Sequence, residues 1–260
     1  MPTYFIAGTD TNIGKTTIAC ALLAKAQQQG LSTLGIKPIA SGCELTDEGL
    51  RNSDALALQA HSTIKVPYQE INPVTLAEPL SPHIAAQRAN KRLTINQLVG
   101  YTRATLSHRP QFAVVEGAGG WRVPISDREL LSALPKELKL PVVLVVGMRL
   151  GCLNHAILTA EAIAKDGLRL AGWVANCIDP NMAALEENIH TLKRMLPAPC
   201  LGIVPFQTTE NHRLKSMAHH LLHLAVLIIE YFCHHESYQK RDSCQSLIED
   251  KMAPKPFHDA

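Results

Sequence analysis

The chain has 260 residues, 46% of them hydrophobic, and a formal net charge of +2. That length and composition suit one large α/β domain with a sizeable core, ahead of the alternative of two small ones, and so small a charge gives no reason to expect nucleic acid or an anionic membrane surface as a partner. The seven cysteines, at positions 20, 43, 152, 177, 200, 233 and 244, are odd in number and form no CxxC pair, which speaks against a disulfide framework or a zinc site and fits a reducing, cytoplasmic setting.

In chain order, short β-branched runs alternate with longer helical segments, the pattern of a mostly parallel sheet flanked by helices on both faces. Thr3 to Ala7 predicts a buried strand. Lys15 to Gln29 predicts a helix, with Gly30 placed to stop it. Thr33 to Ile36 is a second strand. The proline-rich stretch from Asn72 to Pro82 predicts an irregular loop. Phe112 to Val115 is a third strand, running into Glu116 and a glycine turn. Pro141 opens the most apolar strand, Val142 to Val146, and a helix from Asn154 to Asp166 and a strand from Leu170 to Ala175 follow. Asn181 to Leu196 reads as helix and Cys200 to Val204 as a last strand. The expected organisation is a single domain over 1–231, with a polar, weakly ordered tail over 232–260.

The strongest local signal lies between the first strand and the first helix, from Gly8 to Thr16. Backbone N–H groups of such a loop, with the helix N-terminus, make a concave anion site. Lys15 would reach the β- and γ-phosphates of a nucleotide, and the Thr16 hydroxyl would ligate Mg²⁺. The spacing is unusual: five residues separate Gly8 from Gly14, where the standard phosphate loop has four. The bland alternative is a tight strand-to-helix turn without a ligand.

A carboxylate at a neighbouring strand end generally completes such a metal site. Glu116 follows four apolar residues and precedes Gly117-Ala118-Gly119-Gly120, a turn that lets backbone approach a phosphate closely. Asp54 is a second candidate, although at a helix start it could serve as a cap. Lys37 ends the second strand, at the edge where open α/β sheets place their ligands. Ser41 follows in the same loop.

Together these segments resemble the dethiobiotin synthetase family. The family's modified phosphate loop, Gly-Thr-Asp-Thr-x-x-Gly-Lys-Thr with the longer gap, stands here as Gly8 to Thr16. Lys37 to Gly42 is similar to its substrate loop, Gly49 to Asp54 to its second metal segment, and Glu116 to Trp121 to its metal and phosphate turn. Leu150 to His155 and Gly172 to Asn176 match two further signatures. The resemblance spans residues 3–207 and implies a P-loop NTPase fold. It also implies an ATP- and Mg²⁺-dependent ligase of biotin biosynthesis that converts 7,8-diaminopelargonic acid and CO₂ to dethiobiotin, ADP and phosphate.

The resemblance further implies roles. Lys15 and Lys37 would supply catalytic charge, and Thr16, Asp54 and Glu116 would hold the metal. Asn12, Ile13, Gly14, Thr17, Gly117, Ala118 and Gly119 would surround the nucleotide phosphates, while Asn176, Pro205, Phe206 and Gln207 would contact adenine. Thr11 and Ser41 would face the substrate. In a homodimer, Gly151 and Asn154 of one subunit would hold the substrate carboxylate of the other, although Asn154 could equally cap its own helix. One departure is position 12, Asn where well-known members carry Glu.

Other features invite weaker readings. His219 and His223 share a helix face, but no third ligand stands nearby, and a histidine-rich surface helix is the simpler expectation. Trp121 and Trp173 read as packing anchors. No basic segment leads into a long apolar run at the start, so no signal peptide is expected. The apolar run Leu221 to Cys233 is too short to span a bilayer. A dimerising switch ATPase of the partitioning or septum-positioning type is the main alternative. It would ordinarily carry a lysine where this chain has Thr9 and Asp10. An amidoligase would need a further glutaminase domain.

Overall fold

The computed structural model describes residues 2–206. Gln207, His219, His223, the apolar run Leu221 to Cys233 and the expected tail lie outside the described residues, as does the end of the expected domain.

Six strands form one sheet: β1 (Thr3–Gly8), β2 (Thr33–Ile36), β7 (Phe112–Glu116), β8 (Val142–Met148), β9 (Leu170–Cys177) and β10 (Cys200–Val204). Their spatial order is β10-β9-β8-β1-β7-β2, and every pairing is parallel. The residues of β1, β7, β8 and β9 are all buried. Strands buried on both sides need cover on both faces, which explains their unbroken Val, Ile and Ala runs in place of an alternating pattern. The chain runs outward from β1 to β2, returns to β7, then crosses to β8 on the other side of β1. The order therefore reverses at β1, and crevices for ligands form beyond the carboxyl ends of strands at such a reversal. The loops after β1 and β7 open there.

Between the sheet strands run α1 (Lys15–Gln28), α2 (Ser53–Ala60), α3 (Tyr68–Ile71), α4 (Pro82–Arg88), α5 (Ile95–Leu106), α6 (Ala133–Leu138), α7 (Cys152–Lys165) and α8 (Leu185–Met195). Two helix starts differ from expectation. The helix expected from Asn154 begins at Cys152, with Gly151 as N-cap at φ 94°, so backbone conformation rather than the Asn154 side chain sets its start. The last described helix begins at Leu185, later than the expected Asn181.

The proline-rich stretch is largely irregular, yet β6 (Val74–Thr75) pairs in parallel with β3 (Ile39–Ala40). That pairing ties the loop after Lys37 to the prolines. A small antiparallel hairpin, β4 (Glu44–Thr46) with β5 (Gly49–Arg51), leads into α2. Trp173 is fully buried in the core. Among the described residues no helix is long and apolar enough to cross a membrane.

Candidate active site

The phosphate loop departs from ordinary backbone at two positions. Gly14 sits at φ 85°, and a Cβ there would run into Asn176 Nδ2, so only glycine fits. Asn12 is also left-handed, at φ 57°. Asn tolerates that region better than a longer carboxylate side chain, because its short amide can bond locally. The Glu-to-Asn departure at this position thus suits the local backbone. Asn176, at the end of β9, donates to the Ile13 carbonyl at 2.7 Å and braces the loop from two strands away.

Buried charge gathers just beyond this loop. Lys37 is 4% exposed and Glu116 1%, and their side chains meet at 2.5 Å. Lys37 also donates to Asp54 at 3.1 Å and to the Gly117 carbonyl at 3.3 Å. Thr16 Oγ1 donates to Glu116 Oε1 at 2.8 Å. Lys15 Nζ turns back onto the Asp10 carbonyl at 2.8 Å. Desolvating such ions costs several kcal/mol each unless they are paired, so their concentration at one end of the sheet points to use rather than to stability.

Burial lowers the Lys15 ammonium to about 8, and the Lys37 cation nearby adds to the effect. Burial acts on Lys37 in the same sense, but the Glu116 and Asp54 carboxylates outweigh it and raise the pKa. Desolvation works against the Asp54 carboxylate, but Lys37 and a hydrogen bond from Thr16 hold it below its usual range. The site therefore keeps Lys37 and Asp54 charged at neutral pH.

One atom breaks the pairing. Glu116 Oε2 is buried and has no hydrogen-bond partner. An orphaned carboxylate oxygen, beside a threonine hydroxyl and a second carboxylate, is the hard-oxygen donor set that Mg²⁺ prefers. Among the described residues no cluster of three or more His, Cys, Asp or Glu exists to hold a metal alone, and phosphate oxygens would have to complete the shell. The residues fit the ion.

These groups open onto a cleft of about 760 Å³. Thr11, Asn12, Gly14, Lys15, Thr16 and Thr17 line one wall. Lys37, Ser41 and Asp54 line another, and Glu116, Ala118 and Gly119 close the end. Ile13 faces the core, 1% exposed, and lines the cleft only through its neighbours. Gly117 packs beneath the turn, where a Cβ would press on Phe5 at 2.8 Å.

Sequence reasoning missed two parts of this cleft. Pro79 to Pro82 form a wall brought over by the β3–β6 pairing. A buried polar chain also fixes Lys37: Asn72 donates to the Lys37 carbonyl at 2.7 Å, Tyr68 Oη donates to Asn72 Oδ1 at 3.0 Å, and the Asn52 N–H donates to Tyr68 at 2.8 Å. Asn52 in turn caps α2, which carries Asp54. An asparagine before Pro73 was the one local sign of this chain.

Comparison with known proteins decides the family. The AAA domain family matches residues 2–212. The ATP-dependent dethiobiotin synthetase BioD of Cellvibrio japonicus is 58% identical over 202 residues, covering 78% of this chain and 88% of that protein. The enzyme of the same name from Marinobacter nauticus is 47% identical over 228 residues, covering 87% and 97%. The chain belongs to the dethiobiotin synthetase family. Among solved structures, the MinC:MinD complex of Aquifex aeolicus aligns with a TM-score of 0.54 at 13% identity, covering 99% of each chain. MinD of Pyrococcus horikoshii with Mg-ADP aligns at 0.52 and 14%, covering 88% and 96%. That likeness shows the P-loop NTPase fold alone, and the switch-ATPase alternative rests on nothing more.

In this dethiobiotin synthetase family member, the remaining expected residues among those described stand apart from the cleft. Asn176 lies behind the phosphate loop, and Pro205 and Phe206 are exposed beyond β10. Gly151 and Asn154 are exposed at the start of α7, beside Leu150, which is 96% exposed. Arg149 there is ion-paired with Asp10 of the phosphate loop.

Proposed function

We propose that this chain uses ATP and CO₂ to convert 7,8-diaminopelargonic acid to dethiobiotin, with Lys15 and Lys37 as its catalytic cations. CO₂ adds to one amine, which loses a proton and becomes a carbamate. A carbamate oxygen then attacks the γ-phosphorus as the bond to the ADP oxygen breaks. The second amine attacks the carbonyl carbon of the resulting mixed anhydride, phosphate leaves with the bridging oxygen, and the ureido ring closes. Negative charge builds on the transferring phosphoryl group, and Lys15 and Lys37 would meet it in a partly desolvated cleft.

Thr16, Asp54 and Glu116 would hold Mg²⁺, which supplies charge neutralisation on the phosphate oxygens. Thr11 and Ser41 would face the diamine, and the glycine turn would let the phosphates approach. Asn176, Pro205, Phe206 and Gln207 would border the adenine. The exposed Gly151 to Asn154 segment would serve the substrate carboxylate of a second subunit in a cytoplasmic homodimer.

The observation that carries this reading is Lys37, a buried lysine that joins Asp54 and Glu116 directly above the phosphate loop. Incubation with the diamine, bicarbonate and MgATP should give a cyclic urea by mass spectrometry. ATP breakdown without that product would overturn the reading.

A further inference from the structure

Asp166 is the C-cap residue of α7, the end where the helix dipole disfavours a carboxylate. Local propensity therefore gives no reason for an acid there. Its side chain is 16% exposed and is held by three donors. Trp121 Nε1 donates to Oδ2 at 2.8 Å, Arg122 Nη1 to the same oxygen at 2.6 Å, and Arg122 Nη2 to Oδ1 at 3.0 Å. Arg122 also reaches Ser132 Oγ at 3.1 Å and, at 3.4 Å, the Ala162 carbonyl in the last turn of α7, which accepts from the Asp166 N–H as well. A bidentate, charge-assisted pair of this kind fixes orientation as well as distance.

What it fixes is the turn of the active site. Trp121 and Arg122 directly follow Gly120, and a Cβ at Gly120 would sit 3.7 Å from the Gly8 carbonyl and 3.8 Å from that of Thr9. The turn thus lies flat on the phosphate loop. Gly117 to Gly120 carry almost no side chain, so their backbone has more freedom to lose than any other part of the cleft. On one side Glu116 anchors them within β7. On the other side Trp121 is buried, its ring edge-on to Phe5 at 6.0 Å, and its one polar atom ends on Asp166.

We propose that Asp166 is a positioning residue: through Trp121 and Arg122 it holds the Gly117–Gly120 turn against the phosphate loop, in the shape that receives the reacting phosphate. This rests on reading the cleft as the nucleotide phosphate site. Misplacing a reacting group by about 1 Å costs about 10²-fold in rate, so slackening one end of the turn should lower turnover about tenfold in Asp166→Ala. ADP affinity should change far less, because the phosphate loop itself remains.

The indole N–H resonance of Trp121, assigned by its loss in Trp121→Phe, supplies a second readout that needs no turnover. In the unaltered protein it should be a single resonance that shifts when Mg·ADP is added. In Asp166→Ala it should move upfield, broaden, and lose that response. Arg122→Gln keeps the Trp121–Asp166 bond and should give a smaller loss in kcat of about threefold, and it serves if Asp166→Ala does not fold. A merely stabilising contact would lower the melting temperature of both variants while leaving kcat and the Trp121 response to Mg·ADP unaltered well below melting, and that result would overturn the proposal. A protein that forms no cyclic urea yet shows the Trp121 response would count against the reaction and not against the brace.

Discussion

On one side of β1, strands β7 and β2 end in charge: Glu116 and Lys37 meet there, with Lys15, Thr16 and Asp54 around them. On the other side, β8 and β9 are as thoroughly buried, but they end in an exposed leucine tip and in one asparagine amide that props the phosphate loop. Both halves are built from the same parallel, apolar strands, so the sheet does not decide where the chemistry goes. The decision lies in which strand ends carry buried ions, and in the backbone that crowds toward them. The apolar half supports the phosphate loop from behind and presents Gly151 to Asn154 outward, toward the proposed second subunit.

The largest effect should come from the charged half. Lys37→Gln should cut turnover by roughly 10²-fold or more, since it removes charge that the transition state needs, while calorimetric ATP affinity stays nearly intact. Near-normal turnover would remove Lys37 from the mechanism. Next, Glu116→Gln should raise the Mg²⁺ concentration for half-maximal activity about tenfold or more, in line with the usual effect of losing a metal's protein contacts. An unchanged Mg²⁺ titration would count against ligation there.

Across the divide the effects should shrink. Asn176→Ala deletes the bond to the Ile13 carbonyl and should cost about 1 kcal/mol of stability in a thermal or denaturant melt, with a correspondingly weaker hold on the nucleotide. A kcat loss as deep as that of Lys37→Gln would erase the distinction between the halves. Smallest of all, Leu150→Ala should leave stability within about 0.5 kcal/mol, as an exposed substitution does. A large loss of stability on dilution in this variant, measured by sedimentation, would sharpen the case that this tip is covered by a second subunit.

The same division explains what the sequence shows. Gly8, Gly14, Lys15 and Thr16 are legible because the phosphate loop is a local device, its spacing set by turn geometry within nine residues. Glu116 is legible because a charge ending an apolar run is hard to explain by packing. The Asn52–Tyr68–Asn72 chain left only the asparagine before Pro73 as a sign, since each residue reads alone as a cap, a core aromatic or a pre-proline turn, and only tertiary pairing links them. The Pro79 to Pro82 wall depends in the same way on the two-residue pairing of β3 with β6. Asn154 misled because asparagine is a good N-cap, whereas α7 starts from a left-handed Gly151 three residues earlier. Helix α5 was overlooked, although its Thr94 cap accepts from Gln97 N–H in the standard way.

In the proposed reaction the cations and carboxylates beside the phosphate loop direct the γ-phosphate onto a carbamate rather than onto water. The most direct measurement supplies ¹⁸O-labelled bicarbonate with the diamine and MgATP, and reads the released phosphate by ³¹P NMR before the label exchanges with solvent. One labelled oxygen is expected in each phosphate, carried over from the mixed anhydride. Phosphate without label, its new oxygen drawn from water, would contradict it.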